Sequence, residues 1–403
     1  MAPAPAPESG PGRPAPGAPE LAGDDPGGFA WGVLHERTPR LIGQVRDAHP
    51  YGPGQRRALD SLLEEVTTGA VLPLGEHAHD HAAWNRWGAA YFGKRWAEVP
   101  FLWWESYFYR RLLDAVGFFE PGPWYWVDPF AYLKDAELHG AGMASDLAAL
   151  EKVDRLPAGE RRRAKLLASL WGNEADLGFR VGAADRPDER ARDDDGVVVD
   201  DSVRLWAALE AGTANTVSIV ADNAGREIVS DLVLIDHLLT TGLAASVGLH
   251  LKPRPYYVSD ATTADLVACL RRLSTAPGRA ARISDRLSKA IGAGRLILHT
   301  HEFHCAPWSF HHLPPDLAEE FAASSLTLLK GDLNYRRLVG DRAWPATTPF
   351  ADVTAYFPSP VAALRTLKSD VVTGIDAATA AALDASGHAW RTSGTHGLVQ
   401  VRV

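Results

Sequence analysis

Cysteine is nearly absent: Cys269 and Cys305 are the only two in 403 residues. Two thiols cannot build a disulfide framework, so the fold must rest on a hydrophobic core, and a cytoplasmic location is the simplest expectation. Long apolar runs are missing as well. No stretch approaches the roughly 20 residues of a membrane-spanning helix, so no membrane partner is expected. The N-terminus lacks the charged segment and apolar stretch of a secretory leader. Nor is there an excess of positive charge: 41 Lys and Arg face 50 Asp and Glu, a formal net charge of −9. A general nucleic-acid binder would carry a basic face, so no nucleic-acid partner is expected, while a local basic pocket for phosphate stays open. No internal repeat is visible. What is present is a 46% hydrophobic composition, ample for a core, in a chain long enough for two domains or one large one with an extension.

Composition divides the chain. Residues 1–27 are a Pro/Ala/Gly tract that buries too little to offset its ordering entropy, and a disordered tail is expected. Residues 28–200 read as a helical domain. Leu59, Leu62, Leu63 and Val66 share one side of a helix, Glu105 to Val116 has an aromatic buried face, and residues 160–170 run from charge into leucines. The charged segment Arg186 to Asp201, with Asp193-Asp194-Asp195, reads as exposed loop. From 201 to 403 the period changes. Thr216–Ala221, Ala245–Leu251, Arg295–Thr300, Ser325–Lys330 and Asp370–Gly374 are short apolar runs, with Gly397–Val403 as an edge strand. Ile228, Leu232, Ile235 and Leu239 mark a helix between two of them. Alternating strands and helices predict an α/β fold: a three-layer α/β/α sandwich with a mostly parallel sheet, preceded by the helical domain.

The residues that follow the strands carry the chemistry. In open α/β sheets, ligands bind in the crevice outside the carboxyl ends of the strands. The first run stops at Asp222-Asn223, followed by Gly225 and the acidic Glu227. The second leads to Ser259-Asp260. The fourth leads to Lys330-Gly331-Asp332-Leu333-Asn334-Tyr335-Arg336, read as strand, tight turn and helix N-cap. Arg365-Thr366-Leu367-Lys368 precedes the last. Asp222, Asn223 and Asp260 are hard oxygen donors suited to one divalent cation such as Mg2+ or Mn2+. A helix N-terminus at Gly331, with Arg336 and Lys368, suits phosphate oxygens. A cation and a phosphate cradle together point to phosphoryl chemistry. Each part also has an ordinary reading: Asp-Asn as an Asx turn, Ser-Asp as a helix cap, the cations as surface charge.

Three features compete for attention. His299-Thr300-His301-Glu302-Phe303-His304-Cys305 is rich in zinc ligands, yet its spacing fits no structural zinc pattern. His77, His79 and His81 alternate in what reads as exposed loop. Thirteen tryptophans are many for this length. Core packing accounts for most, and some would line an apolar pocket over the metal if the substrate were a hydrophobic diphosphate.

Taken in order, these motifs resemble the damage-control phosphatases, domain-of-unknown-function family 89. The closest branch carries an Arg-Thr-x-Lys signature and includes sugar-phosphate phosphatases once named acidic-residue methyltransferases. Trp104-Glu105-Ser106-Tyr107-Phe108-Tyr109-Arg110-Arg111 and Leu170-Trp171-Gly172-Asn173-Glu174-Ala175-Asp176-Leu177 resemble that branch's N-terminal signatures, and the likeness spans roughly residues 35–375. The resemblance implies a helical domain packed on an α/β/α domain and a divalent metal (Mn2+, Co2+, Ni2+ or Mg2+) on Asp222, Asn223 and Asp260. It also implies substrate contacts from Glu227, Asp332, Leu333, Asn334, Tyr335, Arg336 and Lys368. The expected activity is hydrolysis of a small phosphate ester, a sugar phosphate or damaged metabolite. Either Asp222 attacks phosphorus or a metal-bound water does. The His-rich loop departs from the family, which keeps a second reading in view: ionisation of a diphosphate ester such as a prenyl diphosphate. Carboxyl methylation from S-adenosylmethionine ranks below both, because no Gly-x-Gly-x-Gly turn follows a strand.

Overall fold

The computed structural model describes residues 17–172, 196–212 and 215–403. Seven short apolar segments form one sheet: β1 (Val197–Asp200), β2 (Thr216–Val220), β3 (Ser246–Leu251), β4 (Leu296–Thr300), β5 (Leu326–Lys330), β6 (Val361–Thr366) and β7 (Gly397–Arg402). Their spatial order is β1-β7-β6-β5-β2-β3-β4. All neighbours are parallel except β6 and β7. The central strands are buried on both faces, as a parallel sheet covered by helices requires. Val217, Ile219, Leu326, Leu328, Ala362 and Leu364 face one core. Their alternates Val220, Leu329, Val361 and Ala363 face the other. No helix among the described residues is long and apolar enough to cross a membrane.

Strand order reverses at the centre. From β2 the chain moves outward through β3 and β4, then returns to the opposite flank with β5 and β6. The crevice between the carboxyl ends of β2 and β5 is therefore the switch point at which such sheets bind ligands.

Three sequence expectations need correction. Asp370–Gly374 is not a strand; the sixth strand is Val361–Thr366, so the Arg365-Thr366-Leu367-Lys368 signature lies at a strand end, not before one. A second short apolar run close by in sequence drew the assignment away. Strand β7 is not at the edge, because β1 pairs outside it. That strand falls within the segment read as loop; the neighbouring Asp193–Asp195 run lies outside the described residues. Residues on both sides of position 200 pack in one core. The helices Ala141–Arg155 and Ala158–Trp171 contribute Met143, Leu147, Leu166 and Leu170 to the sheet's own core.

The remaining N-terminal helices, including Pro53–Thr68 and Phe101–Ala115, form a separate aromatic core. Tyr256 and Tyr257 after β3, Cys305 after β4 and Leu333 after β5 all reach into it, which seats this bundle over the carboxyl ends of the strands. Trp84, Trp96, Trp103 and Trp104 are buried there. Trp84 and Trp103 lie 5.4 and 4.7 Å from the Tyr107 ring. They are core, not pocket lining. Of the expected disordered tail, residues 1–16 lie outside the described residues. The remainder is tied down: Arg342 Nη1 donates to Ala18 O at 2.6 Å and Phe101 N to Leu21 O at 2.8 Å. Backbone hydrogen bonds, which apolar counting cannot see, supply the order.

The helix Arg226–Thr241 is buried along most of its length, including His237. Burial, aided by Lys165 and Arg162, pushes its imidazole down to about 4. Its unfolded pKa is about 6.5, so the neutral ring stabilises the fold above that value and the contribution is lost as pH falls toward 4, at about 1.4 kcal/mol per unit. His237→Leu is accordingly expected to show a shallower loss of melting temperature than the parent protein over that acid range. Parallel curves in thermal melts would contradict this.

Candidate functional site

Strand β2 ends in Ala221-Asp222-Asn223, and the loop after β3 folds back to pair with it. Ala261 N donates to Asp222 O at 2.8 Å and Ala224 N to Ser259 O at 2.7 Å. Asn223 and Asp260 thereby form a one-residue antiparallel bridge. A second approach comes from β5. Gly331 has φ +79°, and a Cβ built there would lie 1.8 Å from Asp222 Oδ2. Only glycine fits both the backbone angle and the contact. Asn334 locks the two exits together, its Nδ2 donating to Lys330 O at 2.8 Å and Ala221 O at 3.1 Å.

Three buried carboxylates lie in this region, Asp222, Glu227 and Asp260, and the latter two are near enough to act on Asp222 electrostatically. Burial, then Glu227 and Asp260, pushes the Asp222 carboxyl well above its ordinary range. Burial also raises Asp260, against the pull of Lys252 and Lys134. Asn223 sits between the acids. Its Nδ2 donates to Asp222 Oδ2 at 3.0 Å and Glu227 Oε2 at 2.8 Å, and its Oδ1 accepts from Ser259 Oγ at 2.5 Å. Lys252 Nζ lies 3.6 Å from Asp260 Oδ2. Neither atom forms a hydrogen bond. Lys134 Nζ donates to Asp260 O at 2.9 Å. Lys330 Nζ lies 3.0 Å from Asp231 and 3.3 Å from Glu227, and donates to Ser169 O.

The donor set fits a divalent cation. Asp260 Oδ2 is a buried lone pair without a donor, Asp222 is held among like charges, and both are hard oxygen ligands. Among the described residues no three His, Cys, Asp or Glu side chains converge as a ready-made ion site. Two carboxylates and the Asn223 amide would leave the remaining positions to water and substrate.

The run expected to contact substrate is dispersed by its helix. Gly331–Val339 is helical from its first residue, so Asp332 stands in the first turn, not at the N-cap. Its Oδ1 accepts from Arg365 Nε at 2.8 Å, Ser369 Oγ at 3.1 Å and Lys368 N at 3.3 Å. Burial opposes ionisation of Asp332, but Arg365 and Arg336 outweigh it and hold its pKa below the ordinary value. Leu333 packs in the aromatic core. Tyr335 meets Thr373 Oγ1 at 2.8 Å, and Arg336 binds Asp341 at 2.6 Å and Glu105 at 2.8 Å. Leu333, Asn334, Tyr335 and Arg336 are thus buried and engaged with the protein's own groups. Successive helical residues point about 100° apart, so one helix cannot aim five side chains at one ligand. Arg365 is likewise buried, holding the loop at Ser369 and Val371. Lys368 is half-buried at the same rim. Glu137 Oε1 accepts from Arg226 N at 3.2 Å; burial raises its pKa, and Lys368 is among the groups that pull against that rise.

Lys134, Glu137 and Lys252 were missed by sequence reading. Lys252 carried a usable signal, a charge immediately after a buried strand. Lys134 and Glu137 carried none, because they sit on the helix Ala131–His139, far away in sequence.

Comparison with known proteins agrees with this architecture. The model of the damage-control phosphatase ARMT1-like domain matches residues 33–383. The chain belongs to the ARMT1-like damage-control phosphatase family. It is 30% identical to damage-control phosphatase ARMT1 of Danio rerio over 93% of this chain and 94% of that protein. The Rattus norvegicus protein of that name is also 30% identical, over 94% of this chain and 97% of its own. In structure the chain resembles a DUF89 family protein from Pyrococcus horikoshii, with a TM-score of 0.50, 15% identity and coverage of 93% and 98% of the two chains. The α/β/α fold with its helical N-terminal region is therefore that of the family, and phosphatase is its class of activity.

Gly331→Ala tests the close approach. A side chain at this φ costs about 1–2 kcal/mol before any clash, and here it would also displace Asp222. The variant should melt several degrees lower and lose most phosphatase turnover. A variant with parental melting and turnover would contradict the contact.

Proposed function

We propose that this protein is a divalent-metal-dependent phosphatase acting on a small phosphate ester, a sugar phosphate or damaged phosphometabolite. The observation that carries the reading is the backbone bridge between Asn223 and Asp260, with Asp222 beside it, at the switch point of a parallel sheet. Asp222, Asn223 and Asp260 would hold the cation, which when bound polarises a phosphoryl oxygen and neutralises developing charge. Glu227 orients the Asn223 amide, and Lys330 balances Glu227 from below. Lys252 and Lys134 keep the Asp260 loop in place against its own charge. Asp332, ionised and fixed by Arg365, holds the Lys368 backbone at the rim. There it supplies one cationic donor to a phosphate oxygen.

With Trp84, Trp96, Trp103 and Trp104 packed in the core, the diphosphate-ionising alternative keeps only the His-rich loop in its favour. Carboxylate nucleophile and water routes differ in the role of Asp222. Burial among like charges raises its pKa, and a cation there would restore the ionised form.

The test is phosphate release from a panel of sugar phosphates by protein stripped of metal and then supplied with Mn2+, Co2+, Ni2+ or Mg2+. Asp222→Ala and Asp260→Ala should each lose about a thousandfold in kcat/KM, together with metal binding. Lys368→Ala should bind metal normally and lose roughly ten- to hundredfold, mainly through KM. Full turnover by stripped protein or by Asp260→Ala would overturn the reading.

A further inference from the structure

We propose that His250, His299 and Glu320, with His304 as a further donor, form a second metal site of nitrogen-rich character, suited to a transition metal such as Zn2+. It lies on the other face of β3 and β4 from the layer of the helix Arg226–Thr241, and shares no ligand with Asp222, Asn223 and Asp260.

The parallel register places His250 of β3 beside His299 of β4, with ring centroids 4.8 Å apart. Glu320, on the helix Pro315–Ala322, puts Oε1 2.7 Å from His299 Nδ1 and 3.5 Å from His250 Nε2. The short turn Glu302–Cys305 brings the His304 ring 5.5 Å from that of His250. Groups from β3, β4, the turn after β4 and the helix Pro315–Ala322 thus gather around His250. His250 and His304 are each only 1% exposed, yet none of their four ring nitrogens makes a hydrogen bond. A buried imidazole without a partner is unusual, because desolvation of its nitrogens goes uncompensated. Burial also keeps His250 and His304 neutral, their pKa values pushed down to about 3 and well below the ordinary value, respectively. The neutral ring is the ligating form.

The spacing suits a small ion. Two donors on a tetrahedral centre with bonds of about 2.05 Å stand roughly 3.3 Å apart, and two imidazoles sharing it have centroids about 5 Å apart. The 3.5 Å separation already matches, and the 2.7 Å pair, which is a close approach without a hydrogen bond, opens when an ion enters between its atoms. The groups are not in final coordinating positions: the His250 and His299 rings stack at 15°, so their lone pairs converge only after side-chain rotation. Imidazole with one carboxylate favours Zn2+, Co2+ or Ni2+ over Mg2+ or Ca2+. The ion would clamp the turn after β4 and the helix Pro315–Ala322 onto β3, so its binding adds stability to the fold.

The full chain carrying Asp222→Ala and Asp260→Ala, stripped of metal, is titrated with Zn2+ by calorimetry and with Co2+ by visible absorption. One equivalent of Zn2+, a higher melting temperature and the intense bands of low-coordinate Co2+ are expected. Adding His299→Gln and Glu320→Gln, both partly exposed positions, should weaken Zn2+ binding at least tenfold and abolish the bands. As a second measurement, the otherwise unaltered chain should bind one more equivalent of Zn2+ than its His299→Gln/Glu320→Gln variant. Absence of Zn2+ binding in the first variant, or unchanged affinity and spectrum in the second, overturns the proposal. Because Asp222 and Asp260 are missing from the main test, its outcome is independent of the phosphatase reading.

Discussion

Everything at the switch point depends on one enforced proximity: the carboxylates of Asp222 and Asp260, held together by backbone hydrogen bonds that neither side chain controls. Ala261 N on Asp222 O and Ala224 N on Ser259 O fix the two loops. Glu227 adds a third buried acid within reach through Asn223. Like charges in a low-dielectric site are costly, and proteins keep such clusters where the charge is used.

The rest of the architecture manages that charge. Lys330 at the end of β5 serves Asp231 and Glu227, Lys252 at the end of β3 faces Asp260, and Lys134 arrives from the helical half. Each cation comes from a different element. Sheet and helical bundle are therefore coupled electrostatically as well as through the aromatic core that Tyr256, Tyr257 and Leu333 enter. Buried pairs of this kind contribute little net stability, since desolvation offsets attraction. Their effect is to hold positions. Asp332 behaves in the same way: Arg365 and Ser369 secure it, and it secures Lys368 in turn.

How far this was legible from sequence follows from what is local. The strand–acid junctions at Asp222 and at Lys330-Gly331-Asp332 lie within a few residues, and their pattern survives in one dimension. So does the helix of Ile228, Leu232, Ile235 and Leu239, buried as its spacing requires. The placement of β1 and β7 was not legible, because pairing partners in a sheet leave no mark on each other's sequence. The direction of a side chain on a short helix was equally hidden: Arg336 looked like a phosphate ligand and is a buried partner of Glu105 and Asp341. His250 drew no notice, being one polar residue in an apolar strand, until the register set it beside His299.

The central claim is that the opposed Asp222 and Asp260 carboxylates form a cation site. The direct measurement is a crystal of the full chain soaked in Mn2+, with anomalous scattering used to locate the ion. The account predicts an anomalous peak within coordination distance of Asp222, Asn223 and Asp260, with Lys252 Nζ remaining on the far side of Asp260. A structure in which Mn2+ binds only elsewhere, with Asp222 and Asp260 still facing each other without an ion, would contradict it.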